Sequence, residues 1–167
     1  MDQFTGKIWV LGDDIDTDII IPTEYLALKT VQDMAPYAFS PLRPELAGQI
    51  REGDMIVAGK NFGCGSSREQ APEIIKALGV KCVIAKSFAR IFYRNAINTG
   101  LAILECPEAV DAIADGDTVS VDTETGLITD ETTGATFTAQ PFPPFIAEII
   151  EAGGLVPRWQ KKLGKEA

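Results

Sequence analysis

Residue types suited to chemistry are concentrated in one stretch of this 167-residue chain, the decapeptide from Asn61 to Gln70. It reads Asn-Phe-Gly-Cys-Gly-Ser-Ser-Arg-Glu-Gln, so a thiol, two hydroxyls and a guanidinium follow one another closely. A guanidinium presents a fixed fork of donors to a carboxylate or phosphate, and a helix N-terminus attracts anions through its free N–H groups and its dipole. The decapeptide therefore predicts an anion site that contains two hydroxyl groups.

A strand before the decapeptide and a helix after it must hold these groups in place. The apolar run 55–58 predicts a buried strand, and the spacing of apolar residues over 71–78 predicts a helix with one buried face. Ser66 or Ser67 is predicted to cap that helix, because a serine hydroxyl accepts a hydrogen bond from a free N–H of the first turn. Local positive potential at the helix start would then surround the two hydroxyls.

A blander interpretation stays open, in which the glycines only make a tight turn, the serines only cap the helix, and Arg68 pairs with Glu69. Two well-known catalytic turns are excluded. A phosphate-binding loop of the Walker type needs Gly-Lys-Ser/Thr, which does not follow here. A nucleophile elbow needs Gly-x-Ser-x-Gly and a histidine base, and this chain has no histidine at all.

Alternating strand and helix patterns run through the first two thirds of the chain, which predicts a parallel sheet of the α/β class. Strands are predicted at 7–11, 55–58, 81–86 and 102–105, and helices at 71–78, 88–98, 107–114 and 144–152. Short apolar runs at 118–122, 127–129 and 135–139, separated by Thr-Gly turns, predict a smaller antiparallel layer. The whole of 1–167 is expected to form a single domain, and the basic end at 158–167 is expected to fray.

Charge and composition exclude several classes of function. The net charge of −9 and the pI near 4.5 argue against a nucleic-acid surface, which needs clustered lysine and arginine. No apolar run approaches the roughly 20 residues of a membrane span. The first residues lack the basic and apolar regions of a signal peptide, so we expect a cytoplasmic protein.

The three cysteines, Cys64, Cys82 and Cys106, contain no Cys-x-x-Cys pair and are unevenly spaced. They therefore predict no disulfide framework, zinc site or iron–sulfur site on this chain. Cys82 lies in an apolar run and is expected to be a small buried hydrophobe, and packing is the favoured role for Cys64 as well. We predict no metal bound by this chain.

Four aspartates stand close together between Asp13 and Asp18, in the stretch Gly-Asp-Asp-Ile-Asp-Thr-Asp that precedes Ile-Ile-Ile-Pro. A calcium loop of the EF-hand type is excluded, because its glycine and its terminal glutamate are absent. For Asp13 and Asp14 the composition alone predicts a solvated acidic loop.

Three motifs together resemble the aconitase superfamily in its small-subunit, or swivelling-domain, form. They are the decapeptide 61–70, the segment 85–95 (Ala-Lys-Ser-Phe-Ala-Arg-Ile-Phe-Tyr-Arg-Asn) and the acidic segment 12–22. Many members have histidine where Gln70 stands here, and others have glutamine. The resemblance implies a β/β/α swivelling domain and a hydro-lyase activity, in which water is removed from a hydroxy-di- or tricarboxylate and added back.

The resemblance also implies roles for individual residues. Ser66 matches the serine that removes a carbon-bound proton, while Ser67 and Arg68 match residues that bind substrate and support that base. Asp18 matches the residue of the acidic segment that reaches the active site. Because a free serine is a weak base, it must be activated by local positive potential. Arg90 and Arg94 are expected to form structural pairs with carboxylates, and a functional role is the alternative.

The implied reaction needs a Lewis acid, which the family supplies as a 4Fe-4S cluster. We expect this chain to bind no such cofactor, so the resemblance implies a large, cluster-bearing partner subunit. The non-enzymatic alternative is a stand-alone anion-binding module of the same fold.

In the family, the loop after the Tyr25-Leu26 pair faces the variable end of the substrate, and relatives that accept an extra carboxylate carry an arginine two residues after the tyrosine. Here Ala27 and Leu28 stand there, followed by Lys29. An unpaired carboxylate in apolar surroundings costs several kcal/mol, whereas each buried CH₂ contributes about 0.8 kcal/mol. We therefore predict an alkyl-substituted malate as substrate, isopropylmalate first, dimethylmalate second and homocitrate-type acids last.

Overall fold

The computed structural model describes residues 3–166, apart from the side chains of residues 161, 162 and 164–166. Its strands are β1 (Gln3–Val10), β2 (Met55–Ala58), β3 (Cys82–Ala85), β4 (Ala102–Glu105), β5 (Thr118–Asp122), β6 (Leu127–Asp130) and β7 (Thr136–Thr138). Its helices are α1 (Thr17–Ile20), α2 (Val31–Met34), α3 (Leu46–Gln49), α4 (Gln70–Ala77), α5 (Arg90–Thr99), α6 (Pro107–Ala112), α7 (Pro144–Ala152) and α8 (Leu155–Glu166). Short 3₁₀ turns occupy Thr23–Ala27 and Ala35–Tyr37. No helix in this part of the chain is long and apolar enough to cross a membrane.

The strands form one mixed seven-stranded sheet in the order β4-β3-β2-β1-β5-β6-β7. Neighbours on the β4 side of β1 run parallel, and each of the pairs β1–β5, β5–β6 and β6–β7 is antiparallel. The predicted α/β class with parallel and antiparallel parts is confirmed. The antiparallel strands continue the parallel sheet through β1, which pairs with β2 on one edge and with β5 on the other.

Both faces of the parallel half are buried, as expected for a sheet covered on each side. Alternate residues of β2 enter separate hydrophobic clusters: Ile56 and Ala58 pack with α4 and α5, whereas Met55 and Val57 pack with α6 and the inner residues of β5 and β6. The strand therefore reads as a continuous apolar run. It also holds the carboxyl end of β2, where the decapeptide begins, in a fixed place.

The carboxyl-terminal tail differs from the sequence expectation. From Arg158 it is helical in α8 where fraying was expected, and Arg158 donates to Glu148 on α7 at 3.3 Å. The proline-containing region after Tyr25 carries one-turn helices as well as irregular backbone. Gly100 ends α5 in a left-handed conformation (φ 83°), which favours glycine.

Candidate functional site

The decapeptide leaves the carboxyl end of β2 and is anchored first to the segment that leaves β3. The N–H of Asn61 donates to the hydroxyl of Ser87 at 2.9 Å, and the N–H of Phe62 donates to the Ser87 carbonyl at 3.0 Å. Ala89 returns a bond to the Phe62 carbonyl at 2.9 Å. Because β2 and β3 are parallel neighbours, their carboxyl ends bring residues 61–69 and the start of α5 to the same edge of the sheet.

Close contact with α5 requires a glycine at position 63. Gly63 has φ of 84°, and a Cβ there would lie 2.2 Å from Cγ of Phe92 on α5. Phe92 in turn packs edge-to-face on Phe62, with ring centroids 5.2 Å apart. The absence of a side chain at Gly63 therefore lets the loop lie directly against the ring of Phe92 on α5.

The acidic segment 12–22 holds the other side of the decapeptide. Its Ile15 carbonyl accepts from the N–H of Gly63 at 2.7 Å, and the N–H of Thr17 donates to the Cys64 carbonyl at 2.9 Å. The buried Thr17 hydroxyl donates to the carbonyl of Ser66 at 2.8 Å. Two motifs far apart in sequence thus form one hydrogen-bonded unit.

The prediction that Ser66 or Ser67 caps the following helix is wrong. Helix α4 begins at Gln70, its N-cap is Glu69 in a right-handed conformation, and no side chain caps it. The bond from Thr17 and the left-handed turn at Gly65 (φ 93°) place both serines in the loop ahead of the helix. Both are exposed, and neither hydroxyl is used in a hydrogen bond within residues 3–166.

Successive backbone N–H groups of the loop also lack partners in the described chain. The N–H groups from Gly65 to Glu69 donate to no carbonyl or side chain there, whereas those of the flanking residues Cys64 and Ala71 do. A run of unpaired N–H groups at a loop before a helix attracts anions. The positive potential that the sequence analysis placed at a capped helix start is thus supplied by the loop itself.

Arg68 is held by three acceptors, all from the segment that follows Thr17. Its Nη2 lies 2.6 Å from Oδ1 of Asp18 and donates to the Thr23 hydroxyl at 3.0 Å, and its Nη1 donates to the Ile21 carbonyl at 2.9 Å. The guanidinium side chain is 13% exposed and the Asp18 side chain 63%. The alternative pair between Arg68 and Glu69 is not formed. Asp18 therefore lies beside residues 65–69, which we call the serine loop.

A cavity of about 200 Å³ opens between the serine loop and the start of α5. Its lining comprises Thr17, Gly63, Gly65, Ser66, Ser67, Arg68, Ala89, Arg90, Ile91, Phe92 and Asn95. Ser66, Ser67 and Arg68, which the sequence analysis placed in one site, therefore line the same cavity. Arg90 and Asn95 were not assigned to the site from sequence, although residues that open a helix at the carboxyl edge of a parallel sheet are common ligand contacts.

The expectation that Arg90 and Arg94 form structural ion pairs is wrong. Neither guanidinium has a carboxylate partner among the described residues, and both side chains are exposed on α5. Within the segment 85–95 it is Lys86 that forms an ion pair, with Asp111. The two arginines thus leave unpaired positive charge on the helix that walls the cavity.

The predicted specificity residues Ala27, Leu28 and Lys29 are exposed and lie outside the wall of this cavity. Their segment is ordered by a 3₁₀ turn, in which the N–H of Leu28 donates to the Tyr25 carbonyl at 3.1 Å. Tyr25 stacks on Tyr37 with ring centroids 4.1 Å apart. The 3₁₀ turn begins at Thr23, which bonds Arg68, so the segment is tied to the site through that arginine.

The cysteines do not fit a metal cluster. Cys82 is fully buried, and burial raises the pKa of its thiol to about 12. Cys106 is also buried, and its Sγ lies 3.6 Å from Glu108. Cys64 is partly exposed in the loop, where burial first, and then Asp16 and Asp14, raise the pKa of its thiol. Thiols held neutral make poor iron ligands, and no group of three metal-binding side chains occurs among the side chains that the structure describes.

Comparisons with known proteins agree on one family. The sequence profile of the Aconitase C-terminal domain matches residues 38–109. A 3-isopropylmalate dehydratase small subunit of Lachnospira eligens is 62% identical over 163 residues, which cover 98% of each chain. The corresponding protein of Methanosarcina mazei is 52% identical, over 96% of this chain and 98% of that one.

The fold agrees with a solved structure as well. A crystal structure of a 3-isopropylmalate dehydratase from Methanocaldococcus jannaschii matches with a TM-score of 0.93 and 42% sequence identity. The match covers 99% of this chain and all of that chain. The resemblance stated from the three sequence motifs is confirmed over the whole length of the domain.

Proposed function

We propose that the serine loop of this chain, which belongs to the family of 3-isopropylmalate dehydratase small subunits, supplies the proton-abstracting base of that hydro-lyase. The name of the family implies a large partner subunit, with which this chain forms the enzyme. Ser66 is the base and Ser67 helps to bind the substrate. Arg68, oriented by Asp18, supports the base and helps to bind the substrate. The substrate is 2-isopropylmalate, converted through loss and return of water to 3-isopropylmalate, a step of leucine biosynthesis.

Activation of Ser66 is the main chemical requirement. A serine hydroxyl is a poor base at neutral pH unless the alkoxide is stabilised as it forms. The unpaired N–H groups from Gly65 to Glu69 and the charge of Arg68 provide positive potential around this hydroxyl. The Ser66 side chain makes no hydrogen bond with residues 3–166. Once its own proton has passed to solvent, the alkoxide can therefore take a proton from a substrate carbon and return to the hydroxyl form.

Departure of the substrate hydroxyl requires a Lewis acid, which a 4Fe-4S cluster on the large subunit would supply. The burial of Cys82 and Cys106 supports a cluster held elsewhere than on this chain. This chain contributes the anion site and the base, and the partner must close the open side of the cavity.

The alkyl group of the substrate is recognised by the segment Ala27 to Lys29. Ala27 and Leu28 present apolar side chains without a cationic fork, and both are exposed and available to a partner or ligand. A branched alkyl group is favoured there over a third carboxylate, since an unpaired charge in apolar surroundings is costly. The order of substrates is isopropylmalate, then dimethylmalate, then homocitrate-type acids.

The observation that carries this proposal is that Ser66, Ser67 and Arg68 line one cavity, where the two hydroxyls and the backbone N–H groups have no partner among the described residues. The test is anaerobic reconstitution of this chain with the large subunit encoded by the same organism, followed by assays with the three substrate classes. Turnover of isopropylmalate by the complex, with none by either chain alone, is expected. An inactive complex that carries a full cluster, or a stoichiometric cluster on this chain alone, would contradict the assignment of roles.

A further inference from the structure

The second carboxylate of the substrate needs a cation that Arg68 is poorly placed to supply. A malate derivative carries two carboxylates, and a side-by-side pair of N–H donors from one guanidinium is the strongest way to bind each of them. A guanidinium has two edges that offer such a pair, Nε with Nη2 and Nη1 with Nη2, so each edge uses a hydrogen of Nη2. In Arg68 the Nη2 hydrogens face Asp18 at 2.6 Å and Thr23 at 3.0 Å. Arg68 thus keeps only single donors, on Nε and Nη1, and its charge is already balanced by a carboxylate.

The other cation on the cavity wall is Arg90. The wall contains two arginines, no lysine and no carboxylate residue. Arg90 makes no ion pair and no side-chain hydrogen bond with the described residues, so all five of its donors are available. It is the first residue of α5, whose N-cap Ala89 offers no side-chain acceptor, so the uncapped helix start adds to the positive potential at the same point.

We infer that Arg90 is a substrate-binding residue, which pairs with one carboxylate of the hydroxy-dicarboxylate in the cavity that Ser66 also lines. This inference rests on the function proposed above. Ser66, Ser67 and Arg90 line the same cavity of about 200 Å³. A dicarboxylate bound there can therefore meet both the base and a free guanidinium.

Arg94 provides a matched control. It lies four residues further along α5, is also exposed and has no side-chain partner in the described part of the chain, but it does not line the cavity. Arg90→Gln and Arg94→Gln therefore remove the same charge from the same helix, and only the first removes a donor from the site. Neither change touches the core, so both variants are expected to fold.

The experiment compares wild type, Arg90→Gln and Arg94→Gln in the two-subunit complex at saturating large subunit. We expect Arg90→Gln to raise KM for isopropylmalate about 10- to 100-fold, as for the loss of a charge-assisted pair, with a smaller change in kcat. Arg94→Gln is expected to change KM less than about threefold, as for a surface charge. Inhibition by malate and by its two monomethyl esters gives the readout specific to a carboxylate contact: in Arg90→Gln the preference for malate over one ester should disappear.

Two outcomes would overturn the inference. One is an unchanged preference for malate over both esters in Arg90→Gln. The other is a KM that stays at the wild-type value while the subunits associate more weakly, which would make Arg90 a contact to the large subunit. The proposed function is judged separately, because it requires only that the wild-type complex turn over isopropylmalate.

Discussion

The hydroxyl of Thr17 donates to the carbonyl of Ser66 at 2.8 Å, across 49 residues of sequence. Thr17 is buried, and its own N–H bonds the Cys64 carbonyl at 2.9 Å, so it fixes the loop on both sides of Gly65. In a planar trans peptide the N–H points opposite to the C=O. The Ser67 N–H is therefore directed away from Thr17, which leaves it available to an anion.

Replacement of Thr17 by valine removes this bond while nearly preserving the shape of the side chain. We expect kcat of the complex to fall about 10- to 100-fold, because small displacements of a reacting group are costly, with a smaller change in KM. Stability should fall by about 1 kcal/mol, the usual value of one hydrogen bond. Thr17→Ser keeps the hydroxyl and should restore most of kcat, whereas failure of that rescue would reduce Thr17 to a packing residue.

The pair of Arg68 and Asp18 is testable as a unit. Lysine in place of Arg68 provides one point charge and cannot reach Asp18, Thr23 and the Ile21 carbonyl together. We expect Arg68→Lys to lower kcat/KM by about 10- to 100-fold, as for one or two lost charge-assisted contacts. With Asp18→Asn as the second change, a double-mutant cycle on kcat/KM should give a coupling above about 0.5 kcal/mol. Additive effects would show that Asp18 does not act through Arg68.

Substrate choice is tested at Ala27. An arginine there introduces the cationic fork that the segment lacks, and the site is exposed, so the side chain can be accommodated. Ala27→Arg is expected to gain activity toward homoaconitate-type tricarboxylates and to lose activity toward isopropylmalate. Gln32→Arg, at an exposed position outside the segment Ala27 to Lys29, adds the same side chain as a control and should leave the preference unchanged. Equal kcat/KM of the wild-type complex for both acids would refute the argument from this segment.

A carboxyl pair away from the site governs part of the pH dependence of stability. Asp130 is 1% exposed, and its Oδ1 accepts from the N–H groups of Thr132 and Thr133 at 3.0 and 3.4 Å. Its Oδ2 meets no donor in the described chain. Burial, followed by the hydrogen bond with Asp117, raises the pKa of Asp130. A protonated Asp130 can itself donate to Asp117, whose pKa is lowered by its bond from Ala114 first and then by Asp130.

Since the pKa of Asp130 is higher in the folded state than in the unfolded chain, the free energy of unfolding falls as pH rises between those two values, and it stays lower above them. The lowered pKa of Asp117 acts in the acidic range below the unfolded value. In Asp130→Asn the side-chain amide donates permanently where the carboxyl proton of Asp130 did. The fall in the free energy of unfolding with pH should therefore vanish, and stability at pH 8 should rise by about 1 kcal/mol. Urea unfolding from pH 4 to 8 measures this, with the exposed neighbour Glu131→Gln as control. An unchanged slope in Asp130→Asn would contradict the shared proton.

Local sequence patterns predicted the seven strands and helices α4 to α7, because apolar periodicity and glycine positions are read within a few residues. They did not predict α1 to α3 or α8. They failed where distant segments compete. Ser66 resembles a helix cap in sequence, but its carbonyl is held by Thr17, so the helix starts later. The pairing of Arg68 with Asp18 and the unpaired state of Arg90 likewise depend on which side chains the sheet brings together.

Ser66 is expected to be the base of a two-subunit hydro-lyase, and kcat of the complex with Ser66→Ala tests this role most directly. The side chain makes no hydrogen bond within residues 3–166, so stability should change by less than about 0.5 kcal/mol. Turnover of isopropylmalate should fall by at least about 10²–10⁴-fold, with the subunits still associated. Retention of more than roughly a tenth of the wild-type kcat, far above what loss of a general base allows, would contradict the account.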